Sequence, residues 1–230
     1  MSGPTSRIGG MLFMQPRDIG LFLRSARTDA ALPDLRARLG NRGAFDAIYA
    51  DGDPWASADP RYLYQRRKYD VITRLLPDRP YPAALDLGCG AGMLARRLAA
   101  RAGTVLGMDI SAAAVAHAER AHAGVPNLRF AQGDIMELPA TLDGGFDLLV
   151  LADTLYYLPP PLDDATLRTA AVRLARLLKP GGTCLLANHY FAGLDADSRL
   201  SRRIHRVFGE VLRPAADYWR PFYLVSILER

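Results

Sequence analysis

Long apolar runs are missing from this 230-residue chain. No stretch approaches the ~20 residues needed to cross a bilayer, so no membrane segment is expected. The N-terminal "IGGMLFM" is broken by Gln15, Pro16, Arg17 and Asp18, too soon for a secretory signal. The chain therefore reads as cytoplasmic. Cysteine is scarce: Cys89 lies in a glycine-rich turn and Cys184 in a buried-looking strand, "TCLLA". Two isolated thiols exclude a disulfide framework and a cysteine-based zinc site. No histidine or acid cluster has metal-ligand spacing, so metal-independent chemistry is expected. Internal repeats and low-complexity tracts are absent as well.

Lysine is almost lacking. Only Lys68 and Lys179 occur, so nearly all of the positive charge behind the net +5 is arginine. A basic chain invites a nucleic-acid reading. The arginines, however, are scattered or lie beside an apolar helical stripe, as Arg202, Arg203 and Arg206 do beside Leu200, Ile204, Val207, Phe208 and Val211. A solvated helix face is the favoured reading, and nucleic acid the disfavoured partner.

What is present is apolar mass, half of all residues, in a length suited to one large α/β domain with an appendage. Residues 1–43 read as a partly mobile N-terminal arm, with a short helix at Asp18–Ser25 and another helical turn in "PDLRARLG". Residues 44–82 read as a helical cap, closed by Pro77, Pro80 and Pro82. From residue 83 to 230, strands and helices alternate: "AALDL", "GMLARRLAARA", "TVLGMDI", "SAAAVAHAERAHA", "LRFAQGD", "FDLLVLAD", "DDATLRTAAVRLARLL", "TCLLANHY". Such alternation implies a mostly parallel, Rossmann-like sheet with helices on both faces. The closing "DYWRPFYLVSILER", two extended pieces split by Pro221, implies an antiparallel hairpin at one edge.

The stretch "AALDLGCGAGMLARR" ends a strand in Gly88, Gly90 and Gly92. Glycines there serve a positive φ or the close approach of another group. A dinucleotide fingerprint, a nucleoside-binding turn and a plain tight turn all fit them. The acids at the neighbouring strand ends arbitrate. Asp109 stands about twenty residues on, where a ribose diol is bound. Asp134 follows the third strand, where a carboxylate can accept an adenine amino group while the Ile135 amide faces a ring nitrogen. Asp86 precedes the turn and would repel a pyrophosphate. Three acids at consecutive strand ends suit a cationic, phosphate-free nucleoside, the description of S-adenosylmethionine.

The segments "ALDLGCGAGMLA", "VLGMDIS", "AQGDI", "FDLLVLAD" and "LKPGG" resemble, in order and spacing, the motifs of class I S-adenosylmethionine-dependent methyltransferases. "FDAIYADGDPW…YQRRKY" with "LADTLYYL" is similar, more narrowly, to the NodS group of nodulation N-methyltransferases and their bacterial relatives. The resemblance implies S-adenosylmethionine as cofactor, with S-adenosylhomocysteine as product. Gly88, Gly90 and Gly92 would admit its methionine and ribose, and Asp86 its ammonium. Asp109 would take the ribose, between Met108 and Ile110 at the adenine. Asp134 and Ile135 would read the adenine edge, and Ala152 the methionine portion. Trp55 and one cation of Arg66, Arg67 and Lys68, assigned here to Arg67, would fold over the cofactor.

The expected acceptor is a small molecule or glycan bearing an amine, with an amino sugar as the specific case and a hydroxyl as the nearest variant. A homodimer is the candidate assembly. Candidates for the chemistry are Asp153, Tyr156 and Tyr157 after the fourth strand and His189 at the end of the fifth. His117, His122 and His205 read as helix-surface residues.

Overall fold

The computed structural model describes residues 18–191, 193, 195–220 and 222–230. Pro221, the expected break between the last strands, and residues 1–17 of the arm lie outside them. Thirteen longer elements follow in order: α1 (Asp18–Tyr49), α2 (Tyr64–Leu75), β1 (Tyr81–Leu87), α3 (Met93–Leu98), β2 (Ala102–Asp109), α4 (Ala112–His122), β3 (Leu128–Gln132), β4 (Phe146–Ala152), α5 (Asp164–Leu177), β5 (Leu178–Tyr190), α6 (Ala196–Val211), β6 (Arg213–Arg220) and β7 (Phe222–Glu229). Their sheet has the order β3-β2-β1-β4-β5-β7-β6. The first five strands run parallel, β7 is antiparallel to β5, and β6 is antiparallel to β7. The sheet order reverses between β1 and β4, which opens a crevice beyond their carboxyl ends.

Strand β4 shows why this sheet is buried on both faces. Leu149 and Leu151 point toward Leu167, Leu174, Ile204 and Phe208 of α5 and α6. Leu148 and Val150 point the other way, toward Ile72, Leu94 and Leu98 of α2 and α3. A continuous apolar run is thereby shared between two layers, each strand residue alternating sides. Ser111 and Asp163 cap α4 and α5 by accepting the amides of Ala114 and Thr166.

Three local readings are corrected. The short helix expected at Asp18–Ser25 and the turn at "PDLRARLG" are parts of α1, a 32-residue run that bends at Gly40, where φ is +70°. The helix after the glycines is shorter than its alanine-rich sequence suggests, because Ala102 already belongs to β2. His205 is not a surface residue. It is 8% exposed, with Nδ1 2.7 Å from Ser226 Oγ and Nε2 3.1 Å from Asn188 Oδ1. It ties α6 to β5 and β7, and burial pulls its pKa down to about 3.

Candidate functional site

Beyond the carboxyl ends of β1, β2 and β4 lies a cavity of about 310 Å³, within the roughly 300–1,000 Å³ range of small-molecule sites. Its floor begins where β1 runs out. The amides of Gly88 and Cys89 both donate to the Met108 carbonyl, at 2.7 and 3.0 Å, turning the chain sharply across the end of β2. Gly88 and Gly90 sit at φ +72° and +52°. A Cβ at Gly88 would stand 2.3 Å from Thr154 Oγ1, and one at Gly90 2.6 Å from Tyr49 Oη. Positive φ and the close approach of other side chains both demand glycine here. Gly92 faces Phe130 instead and lies outside the cavity lining.

Asp109 clips this turn into shape. Its Oδ2 accepts the Gly90 amide at 2.9 Å and its Oδ1 the Ser111 amide at 3.0 Å. Burial, opposed by these amides, leaves its carboxyl above the usual range. Asp134 caps the short helical turn that begins at Ile135, accepting the Met136 amide at 2.8 Å. Asp86 is 2% exposed, and its Oδ2 has no hydrogen-bond partner. Burial first, and the neighbouring Asp109 second, push its pKa up to about 7. A buried carboxylate oxygen without a donor is costly unless a ligand supplies one.

The sequence-derived candidates mostly converge. Trp55, Gly88, Gly90, Asp109, Ile110, Asp134, Ile135, Ala152, Asp153, Tyr156, Tyr157 and His189 all line the cavity. Asp86 and Met108 lie beneath the lining, and Arg67 is outside it. The cation that reaches the cavity is Lys68, whose side chain is 4% exposed and whose Nζ pairs with Asp153. Its ammonium also lies 5.7 Å from the ring centroids of both Tyr64 and Tyr69. Asp153 itself sits just past β4 at φ +54°, a left-handed conformation that Asp tolerates better than most residues.

Several residues at the site carried no individual signal. Asp29 of α1 accepts the Tyr157 hydroxyl at 2.8 Å. Arg36 donates to the Tyr157 carbonyl and, at 2.9 Å, to Asn41 Oδ1. Trp55, Phe45 and Tyr157 form an aromatic wall, with ring centroids 5.5 to 6.4 Å apart. Helical spacing offered a collective signal: Phe45 and Tyr49 are four apart, as are Gln65 and Tyr69, with Lys68 between the latter pair. Such pairs share a helix face, so one member at the site brings the other.

The electrostatics of the lining favour a cation. Six aspartates contribute, against Lys68 and His189 as the only basic side chains among the described lining residues. Lys68 is already paired. Gln65 Oε1, on the cavity lining, is buried without a partner, and Trp55 Nε1 has none at hydrogen-bond distance although its indole acts on both Asp29 and Tyr157. These orphaned atoms fit a ligand that carries both donors and acceptors. Three unneutralised acids near the glycine turn do not fit a pyrophosphate. The phenols of Tyr156 and Tyr157 are pushed well up, chiefly by burial, and stay protonated near neutral pH. Among the described residues, no group of three or more His, Cys, Asp or Glu is arranged to hold a metal ion, and no helix is long and apolar enough to cross a membrane.

Residues 84–182 match the methyltransferase domain family. The trans-aconitate 2-methyltransferase of Deinococcus radiodurans is 45% identical over 123 residues, covering 51% of this chain and 43% of that protein. Nodulation protein S of Rhizobium tropici is 29% identical over 156 residues, 68% of this chain and 60% of the relative. This chain spans about half the length of the curated relatives it matches. Among solved structures, the N-methyltransferase NodS of Bradyrhizobium japonicum, in complex with S-adenosylhomocysteine, superposes with a TM-score of 0.67 at 22% identity. That superposition covers 83% of this chain and 98% of that one. The sheet described above is the class I S-adenosylmethionine-dependent methyltransferase fold.

Proposed function

We propose that this chain, whose residues 84–182 belong to the methyltransferase domain family, methylates the amine of a small-molecule or glycan acceptor, an amino sugar being the specific case. The observation that carries this reading is the acidic, phosphate-averse cavity inside a chain of net positive charge. S-adenosylmethionine would supply an activated methyl group on a sulfonium. The turn at Gly88 and Gly90, with Asp109, Asp134 and Ile135, would hold its nucleoside, and Asp86 and Lys68 the charged ends of its methionine portion.

The work left to the protein is mainly orientation. A neutral amine attacks the methyl carbon with its lone pair as the C–S bond breaks toward sulfur, provided nucleophile and methyl are held in line. The aromatic wall excludes water, and the half-buried Tyr156 and Tyr157 position the acceptor. Asp153, tied to Lys68, has the role of fixing the wall's lower edge rather than of a free base. His189, 3.7 Å from Asp195, stands at the rim.

Similarity alone leaves the acceptor open, since one relative is named for trans-aconitate and others for nodulation. The test is mass spectrometry of the protein incubated with deuteromethyl-labelled S-adenosylmethionine and free-amine chitooligosaccharides, simple amino sugars and their N-acetylated counterparts. Label on nitrogen is the expected result. Label on oxygen would replace the acceptor class while leaving the cofactor reading intact.

A further inference from the structure

Four elements meet at the open mouth of the cavity. Asp29 comes from α1, Tyr157 from the turn after β4, His189 from the end of β5 and Asp197 from α6, and all four line the cavity. The Tyr157 hydroxyl donates to Asp29 Oδ1 at 2.8 Å, fixing the plane of that carboxylate. The Trp55 indole N–H also acts on this carboxylate, so Asp29 sits where a donor from outside would join the Tyr157 hydroxyl and the indole. Trp55 and Phe45 pack at 5.5 and 5.9 Å from the Tyr157 ring, so aromatic surface stands directly beside the acid. Carboxylate and ring faces together form a receptor for a cation that has shed most of its water.

The other groups around the mouth have different commitments. Asp153 is paired with Lys68, and Asp53 is consumed by Ser57 Oγ, Ala58 N and Trp55 N. Asp109 and Asp134 serve the glycine-turn end. The tyrosine phenols remain protonated. Asp29 is solvent-exposed yet crowded enough that desolvation raises its pKa, with Asp197 adding to the rise and the Tyr157 hydroxyl, the Trp55 indole and His189 opposing it.

We propose that Asp29 is the acceptor-recognising residue: it holds the incoming ammonium against the Trp55–Tyr157 wall and takes the proton that must leave before nitrogen attacks. The balance is simple. One N–H bond breaks, its electron pair stays on nitrogen, and the proton forms an O–H bond on Asp29. Methyl transfer then uses that lone pair, and exposure lets Asp29 return its proton to solvent. The inference rests on the amine reading above and adds the residue that enforces it.

A zero-length coupling experiment tests it without knowledge of the natural acceptor. The full chain, saturated with S-adenosylhomocysteine, is treated with glucosamine and a water-soluble carbodiimide, and amides are mapped by peptide mass spectrometry. Asp29 is expected to be amidated several times more than the exposed Asp34, in a reaction that saturates with glucosamine. Tetramethylammonium, which cannot couple, is expected to protect it. Labelling of Asp29 no greater than that of Asp34, or indifferent to tetramethylammonium, overturns the proposal.

A second arm uses Asp29→Asn. Its affinity for S-adenosylhomocysteine and its melting temperature should match the parent, while methylation of any amine the parent accepts should fall about a hundredfold, the usual scale for a lost proton acceptor. Turnover within twofold of the parent overturns the proton-taking role. Label on oxygen in the product analysis would bring down the amine reading. Label on nitrogen without coupling at Asp29 would bring down this inference alone.

Discussion

At the glycine-turn end of the cavity, the residues come from the ends of three neighbouring strands, within the span from Asp86 to Ile135. At the mouth, Asp29 meets Tyr157 across 128 positions of chain, and Lys68 meets Asp153 across 85. The first end is held by backbone amides clipped to Asp109, so its shape is as rigid as the sheet. The second is held by side chains from α1 and α2 laid over that sheet. Cofactor chemistry, common to the fold, is thus built into short-range geometry. On the proposed reading, acceptor selection would fall to the second end, whose helices also pack on one face of the sheet.

The sharpest way to break this division is Lys68→Met, which leaves Asp153 without its partner where the two ends meet. Losing one member of a buried pair costs about 3–5 kcal/mol, and the partial exposure of Asp153 brings the expectation to about 2–3 kcal/mol in urea unfolding. Adding Asp153→Asn should recover part of that loss; a double variant no better than Lys68→Met would mean that the stranded Asp153 charge is not what costs the stability.

Next in size is Asp109→Ala, which strands the amides of Gly90 and Ser111. A cost of about 2 kcal/mol is expected. Affinity for S-adenosylmethionine should fall further than that, by about a hundredfold, because the same oxygens are assigned to the ribose. Unchanged calorimetric affinity would remove Asp109 from the cofactor site.

A pH series separates two buried titrating groups, Asp86 of β1 and His205 of α6. The pKa of Asp86 rises from 3.8 to about 7 on folding, so the folded chain binds the extra proton between these values. Its contribution to stability is therefore present near pH 4 and lost as pH rises toward 7. His205 acts oppositely: lowered from 6.5 to about 3, it costs stability as pH falls below 6.5. Asp86→Asn should flatten the first slope and leave the second. Because a bound cation favours ionised Asp86, S-adenosylmethionine should bind more tightly as pH rises through 7, with proton release that the variant abolishes.

The smallest expected effect is that of Tyr157→Phe. One exposed hydrogen bond to Asp29 is lost, worth about 0.5–1.5 kcal/mol. Cofactor affinity should not change, while KM for the amine rises. An equal loss in both would place Tyr157 at the cofactor end instead.

The glycine-turn end was legible because its residues follow a strand pattern that fixes their positions. Alternating apolar residues in β4 define the sheet's two faces, and whatever follows a strand lies at its carboxyl edge. The mouth was not legible in this way. Nothing local in "RSARTDAALP" indicates that Asp29 will lie against Tyr157, since that depends on how α1 docks and on its bend at Gly40. Arg67 lies off the cavity lining, and Lys68 on it, for a simpler reason. One residue on a helix is a rotation of about 100°, and the face shared by Gln65, Lys68 and Tyr69 is the one turned to the cavity. His205 was misplaced because a polar residue on an apolar face needs partners, and Asn188 and Ser226 arrive from other elements.

The most direct measurement is calorimetric titration of the same protein with S-adenosylmethionine and, separately, with reduced nicotinamide dinucleotide. An acidic, phosphate-averse cavity predicts saturable binding of the sulfonium nucleoside and no heat with the dinucleotide. Saturable binding of the dinucleotide, with none of S-adenosylmethionine, would contradict the account.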